Sequence, residues 1–128
     1  MSKHKANYDK LKTITVFVGA ADSVRGIGVT IDAQGECNPT AAGAMPDVIY
    51  CEGGVKQGGA VQGAMPDGAI VPVLAGAAIT VGLDITTNAA GKFIPAAAGN
   101  AIVGRAVTAA TAANEFFGIQ FTYKGAKA

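Results

Sequence analysis

Side chains that could act as nucleophiles or metal ligands are few in this sequence. The two cysteines, Cys37 and Cys51, do not form a Cys-x-x-Cys pair, and the single histidine, His4, lies close to the N-terminus. A catalytic serine or cysteine needs a base beside it, and a zinc site needs several His or Cys ligands. We therefore expect no catalytic site, no metal and no cofactor. We also expect both thiols to be free, since nothing indicates secretion.

Two glycine-rich stretches could in principle bind phosphate. "RGIGVT" (25–30) lacks the last glycine of a dinucleotide-binding fingerprint, and "GGVKQGG" (53–59) lacks the Gly-Lys-Ser/Thr end of a phosphate-binding loop. Asp22-Ser23-Val24 has no glycine where an aspartic protease needs one. These glycines are more typical of turns and bulges, and we expect that the protein is not an enzyme.

Charge is distributed unevenly along the chain. The net charge is only +1, but both ends are basic and the segment between them is acidic. A basic end can bind nucleic acid or an acidic protein surface, or can simply be solvated. The N-terminal arm, residues 1–12, carries candidate contact residues, and residues 124–128 form a basic C-terminal tail. These candidates are Lys3, His4, Lys5, Lys10 and Lys12.

Mean hydropathy is positive at +0.35, so a membrane span has to be considered. The longest uncharged run, between Asp67 and Asp84, contains Pro72 and several glycines. A spanning helix needs about 20 mostly apolar residues, so this run is too short and too interrupted. The N-terminus has no apolar stretch of the kind that a secretory signal requires. We expect no membrane association, and synthesis in a cytoplasm.

An internal repeat is the most informative feature. "GIGVTIDAQGECNPTAAG" (26–43) aligns with "GLDITTNAAGKFIPAAAG" (82–99) without a gap. In each copy an Asx residue and a glycine, Asp32 with Gly35 and Asn88 with Gly91, predict a type I turn that closes a hairpin. One supersecondary unit is therefore used twice.

Alternating apolar residues predict strands around these turns. Strands are predicted at 13–18, 27–32, 48–51, 69–74, 79–86, 101–107 and 116–123, while 106–116 predicts a loop or one helical turn. In the last strand Phe117, Ile119, Phe121 and Tyr123 are expected to point inward. Pro72 places its strand at a sheet edge. The predicted fold is all-β with little helix: one compact antiparallel β-sandwich or β-barrel domain over 13–123, with an internal hairpin repeat and an extended N-terminal arm.

The pentapeptide "GAMPD" occurs at 43–47 and again at 63–67. Proline followed by Asp before an apolar run predicts a tight turn that leads into a strand, used twice. Met45 and Met65 on these turns are candidate loop contacts for neighbouring subunits, because methionine adapts to irregular apolar surfaces.

The C-terminal half, 75–122, resembles the small capsid decoration, or cement, proteins of tailed bacteriophages. The residues that carry the resemblance are Ile79-x-Val81-Gly82, Ala90-Gly91-Lys92 with Pro95-Ala96, Ile102-Val103-Gly104-x-Ala106, and the strand that follows Glu115. The first half shares it only through the internal repeat. Phe116 and Phe117 make the last strand of this chain more aromatic than in that family.

The resemblance implies a protein without enzymatic activity that binds the outer surface of the head as a homotrimer and stabilises contacts between major capsid subunits. Its N-terminal arm would order on the shell, where the basic candidates of residues 1–12 named above would be capsid contacts. No direct contact to nucleic acid is expected. Two alternatives remain open on the sequence alone. One is another structural β module of a virion or a cell surface, such as a tail or fibre part. The other is a small β-barrel protein that binds nucleic acid through its basic ends.

Overall fold

A computed structural model describes residues 12–128 and is built entirely from strands and loops in that range. This confirms the predicted all-β class. The strands are β1 (Thr13–Val18), β2 (Gly28–Ile31), β3 (Glu36–Pro39), β4 (Val48–Tyr50), β5 (Ala60–Ala64), β6 (Ile70–Leu74), β7 (Asp84–Thr87), β8 (Phe93–Pro95), β9 (Gly104–Ala106) and β10 (Phe116–Phe121).

The strands form two five-stranded units. In the first unit the order β1-β3-β2-β4-β5 closes into a barrel, with a parallel pairing only between β1 and β3. In the second unit the order is β6-β10-β9-β7-β8, and all pairings are antiparallel. Its two outer strands are linked by one parallel bridge, Ala75 to Phe93. Pro72 therefore lies on an outer strand of the second sheet, as predicted, because proline cannot donate to a ladder.

The two units share strand order and register. Listed from β6 through the Ala75–Phe93 bridge, the second unit has the order β6-β8-β7-β9-β10, which matches β1-β3-β2-β4-β5 strand for strand. Ile49 lies opposite Gly28 and Ala64 in the first unit, and Arg105 lies opposite Asp84 and Gln120 in the second. The first-unit bridge Val18–Cys37 likewise corresponds to Ala75–Phe93. The duplication therefore includes all five strands of each unit and extends well beyond the segments 26–43 and 82–99.

Both predicted hairpin turns are present. Gly35 N donates to Asp32 O at 3.0 Å, and Gly91 N donates to Asn88 O at 3.0 Å. The Asx side chains accept further backbone N–H bonds inside the turns. Both glycines have positive φ, 79° and 76°, which side chains with a Cβ rarely adopt.

Two apolar clusters form the interior, and each takes residues from both units. The first-unit cluster surrounds Val18, Val29 and Val48 and also includes Leu74 of β6. The second-unit cluster surrounds Phe93 and Phe121, and it includes Ile49 and Ala64, which point outward from the first barrel. The units are therefore packed into one body by side chains that leave one unit and enter the other.

The strand predicted over 79–86 is wrong in its first half. Gly82 has φ +91° within a turn, and the strand begins only at Asp84. Val81 is consequently 57% exposed instead of inward-facing. Phe117, Ile119 and Phe121 are buried as predicted, but Tyr123 lies beyond the end of β10 and is 57% exposed. Residues 106–116 contain no helix, in agreement with the predicted loop.

The C-terminal residues are bonded to the second unit. Ala126 forms a bridge with Ala101, and Lys127 N donates to Asn100 O at 2.8 Å. Lys127 Nζ also forms an ion pair with Asp84 at 3.0 Å. The basic tail therefore has a fixed place on the fold.

Candidate interaction surface

The two thiols have environments that oppose nucleophilic chemistry. Cys37 is buried in the first barrel and Cys51 is half-buried, and both are free, as expected. Burial raises the pKa of both thiols above the usual value of 9.0. Both are therefore protonated at neutral pH, whereas the thiolate is the reactive form.

Residues 12–128 bring together no group of three or more His, Cys, Asp or Glu side chains that could hold a metal ion. Within the same residues, no helix has the length and apolar character needed to cross a membrane.

Of the predicted capsid-contact residues, the structure describes Lys12. Its side chain is exposed, its N–H donates to Asp67 Oδ2 at 3.1 Å, and its carbonyl accepts from Met65 N at 3.0 Å. Lys3, His4, Lys5 and Lys10 lie outside the described residues. The point at which the arm joins the fold is thus beside the loop between β5 and β6.

The two copies of "GAMPD" have different conformations, so the prediction of one turn used twice is wrong. Asp67 N donates to Met65 O at 2.8 Å inside the second copy, whereas Asp47 N of the first copy donates to Val29 O of β2 at 2.9 Å. Met45 is partly buried against the second-unit cluster, and Met65 is half-buried directly after β5. The structure therefore gives the two methionines different surroundings, and their role as loop contacts stays a prediction.

An exposed apolar surface lies on the outer side of β6 and β10, and we call it the β6–β10 face. It consists of Ile70, Pro72, Val107, Phe116 and Gly118; Ile70 is 53%, Phe116 48% and Val107 38% exposed. Pro72 lies opposite Gly118 across the two strands. A Cβ on Gly118 would be 3.1 Å from Val107 Cγ2 and 3.3 Å from Ile70 Cγ2, so these side chains form a continuous surface.

An arginine lies at each end of this face. The guanidinium carbon of Arg25 is 5.2 Å from the centre of the Phe116 ring, a cation–π distance. At the other end Arg105 lies opposite Gln120 of β10. Neither arginine takes part in an ion pair among residues 12–128, where the pairs are Lys56–Asp22 at 2.6 Å and Lys127–Asp84 at 3.0 Å. The face is therefore an apolar strip with an arginine at each end, and neither arginine is ion-paired within residues 12–128.

The sequence contains one signal of this face. Phe116 and Phe117 are adjacent in a strand, and because side chains alternate, one of the two rings must point outward. The structure buries Phe117 and leaves Phe116 half exposed. Ile70 and Val107 gave no comparable signal, because single apolar residues in short strands are expected in a core.

Comparisons with known proteins give one informative result. No family model matches the chain, and no curated protein matches it. Among solved structures, the chain is similar to the N base of the head fiber gp8.5 in bacteriophage phi29, with a TM-score of 0.69 and 20% sequence identity. The alignment covers 92% of this chain and 99% of that chain. At this identity the similarity shows the fold.

Proposed function

We propose that this protein is a non-enzymatic structural component of a bacteriophage virion that attaches to the outside of the head. The observation that carries the proposal is the similarity to the phi29 head fiber base, which extends over 99% of that chain. Fold alone does not determine function, so the contact surface has to supply the rest. The exposed, arginine-flanked β6–β10 face is the kind of surface that protein contacts use.

Within that class, our first candidate is a decoration, or cement, protein that binds neighbouring major capsid subunits and stabilises the shell. The resemblance of residues 75–122 to decoration proteins supports this candidate. The chain contains no Trp, and only 6% of its residues are aromatic, so a single contact has few strong anchors. A symmetric oligomer such as a homotrimer would make several weak contacts at once, and its overall affinity for the head would exceed that of any single contact.

The second candidate is the base of a fibre on the head. It is favoured by the solved structure described above, which is itself a fibre base. Both candidates predict binding to the exterior of the head, and they differ in the effect on the shell. A decoration protein strengthens contacts between capsid subunits, whereas a fibre base only has to be held there.

The test uses heads of the phage that encodes this chain, prepared without the protein. Both candidates predict saturable binding of the purified protein, seen by electron microscopy as added density on the outer surface. The melting temperature of the shell then separates them: a rise on binding supports decoration, and binding without a rise supports a fibre base. Absence of saturable binding would refute both, and binding to free DNA instead would favour the nucleic-acid alternative.

The role of the N-terminal arm needs a separate variant. Deleting residues 2–11 keeps Lys12 and its backbone bonds to Asp67 and Met65, so the fold should be retained. If the lysines of the arm dock on an acidic shell, the deletion weakens attachment and reduces its dependence on salt. Attachment of the deletion variant at wild-type affinity would show that the arm is not a contact.

A further inference from the structure

We propose that the β6–β10 face, together with Arg25 and Arg105, is a docking surface for a protein surface that places carboxylates on both sides of an apolar contact. The inference rests on the proposed function, in which that partner surface belongs to the phage head. It differs from the arm hypothesis, because it assigns the contact to the folded second unit.

The first unit has the same face, formed by β1, β5 and the end of β4, and part of it is an interface already. Ile49 and Ala64 are 0% exposed there and pack into the second-unit cluster, and Cys51 packs beside them. The fold therefore uses one end of this face of the first unit to hold the second unit.

The second unit carries different, more polar residues at the equivalent positions. Register places Arg105 where the first unit has Ile49, and Gln120 where it has Ala64. Val107 occupies the position of Cys51, because their amides make the same bonds, to Gly118 O and Gln62 O. The face thus keeps an apolar part but gains a guanidinium and an amide, which an apolar interior would not accommodate. A partner with acceptor groups fits this combination.

Arg105 is available for such a partner. Its cross-strand neighbour Asp84 already pairs with Lys127 at 3.0 Å. At the other end, Arg25 is held over the Phe116 ring. Phe116 and Gln120 are four residues apart on β10, so the two charged ends are separated by about 13 Å of strand. This spacing suits a compact protein contact.

The aromatic end of the face is held rigidly. Leu74, opposite Phe116, points away from its own unit and is 7% exposed in the first-unit cluster. A Cβ on Gly26 would lie 2.9 Å from Phe116 Cε1, so the ring is in close contact with the first unit. The face is thus continuous with the interface between the units. An anchor that is already ordered loses little conformational freedom on binding.

The experiment measures binding of three single variants to the same heads as above. Ile70→Ser and Val107→Ser remove apolar contact, and Arg105→Gln removes a charge. Matched controls are Ile31→Ser, an exposed apolar residue of the first unit, and Lys124→Gln, an exposed lysine outside the face. We expect each face variant to raise Kd about tenfold, a change typical of an interface anchor, while the controls bind as wild type. Thermal unfolding of each free variant confirms that the fold is retained.

Each outcome has a defined meaning. If the wild type binds and the face variants bind equally well, the docking surface is refuted while the proposed function stands. If the wild type does not bind, both are refuted. If the face variants alter only the sedimentation of the free protein, or only its binding to DNA, the occupant is a second copy or a nucleic acid and the proposal is wrong. A tenfold loss confined to the face variants supports it.

Discussion

Thr86 carries a buried hydroxyl oxygen that has no hydrogen-bond partner among the described residues. Its equivalent in the first unit, Thr30, lies 3.2 Å from the hydroxyl of Thr40. Ala96 occupies the position of Thr40, because Ala96 N and Thr40 N donate to the equivalent carbonyls of Asp84 and Gly28. The second unit therefore has one member of this hydroxyl pair and an alanine in place of the other.

Thr86→Val should raise the free energy of unfolding. A buried polar group without a partner costs about 1–3 kcal/mol, and valine has nearly the same shape, so we expect a gain of about 1 kcal/mol. Urea unfolding of both proteins measures it. Ala96→Thr should also raise the free energy of unfolding, because it gives the Thr86 hydroxyl a hydrogen-bond partner like the one that Thr30 has in Thr40. A loss above about 1 kcal/mol in Thr86→Val would mean that the hydroxyl is satisfied in solution.

Stability should fall in alkaline solution because of buried groups whose pKa is raised by folding, Cys37, Cys51 and Tyr50 among them. Burial is the main cause that raises the pKa of the Cys37 thiol above 9.0 and the pKa of the Tyr50 hydroxyl above 10.0 in the folded protein. Well below pH 9 both states keep these protons and the contribution is constant. Above it, the unfolded chain releases them first, so the unfolded state is favoured.

The measurement is the free energy of unfolding between pH 8 and 10.5. Each group that ionises only in the unfolded state lowers stability by at most about 1.4 kcal/mol per pH unit. Cys37→Ala should be less stable at pH 8, because it leaves a cavity, but should have a shallower slope above pH 9. An unchanged slope in that variant would exclude the thiol as a source of the effect.

Among the elements, the loop before β10 contains the one residue other than glycine with positive φ in the described range, Asn114 at 68°. Its equivalent in the first unit is Gly58, with φ 81°. Asparagine tolerates this conformation better than most residues, and Asn114 Oδ1 also accepts a bond from Lys92 Nζ at 2.7 Å. The loop therefore depends on residue types that accept a left-handed backbone.

Asn114→Ala should lower the free energy of unfolding by about 1 kcal/mol, because alanine lacks this tolerance. Asn114→Gly removes the same bond to Lys92 but relaxes the backbone, and we expect it to unfold within about 0.5 kcal/mol of wild type. Thermal or urea unfolding of the pair separates the two effects. Equal losses in both variants would assign the cost to the side-chain bond instead of the backbone.

Local elements were predictable where one residue type determines the backbone. Asp32 with Gly35 and Asn88 with Gly91 specify their turns, and the inward set of β10 follows from alternation. The strand over 79–86 was wrong because alternation continues through Gly82, whereas the backbone changes direction there at φ +91°. Alternation describes side chains and does not detect a turn that a glycine permits.

The extent of the duplication and the β6–β10 face could not be read from the sequence for one shared reason. Outward positions differ between the units, so Ile49 corresponds to Arg105 and Ala64 to Gln120. These pairs have the same spacing along the chain as the repeat 26–43 and 82–99, but their residue types show no similarity in an alignment. The ladder register is what shows that they are equivalent. Ile49 points outward and is nevertheless buried, because a second unit covers it.

At the scale of the whole molecule, the hairpin turn of the second unit contacts the first barrel. Gly91 O accepts from Gly28 N at 2.8 Å, and a Cβ on Gly91 would lie 2.5 Å from Gly28 O. The equivalent turn of the first unit is open, since a Cβ on Gly35 would have no atom within 4 Å. The φ values are 76° for Gly91 and 79° for Gly35, so the two glycines have nearly the same backbone conformation. They differ in what surrounds them.

Gly91→Ala should therefore destabilise much more than Gly35→Ala. The strain of a positive φ costs about 1–2 kcal/mol in both, and only Gly91→Ala also forces the turn away from the first barrel. Comparing the free energies of unfolding isolates the packing between the units, because the strain cancels. Losses of equal size in the two variants would show that the turn does not couple the units.

The two units differ in how completely their outer strands pair, and this difference affects how the chain can fold during synthesis. In the first unit β1 and β3 pair directly, at Phe17–Glu36 and Val18–Cys37. In the second unit the equivalent strands, β6 and β8, are joined only by the bridge Ala75–Phe93. Leu74 N instead donates to Gly26 O of the first unit at 2.9 Å. The self-closing barrel is also the one that leaves the ribosome first, and domains generally fold in that order during synthesis. The finished barrel can then serve as the template on which the later strands complete their closure.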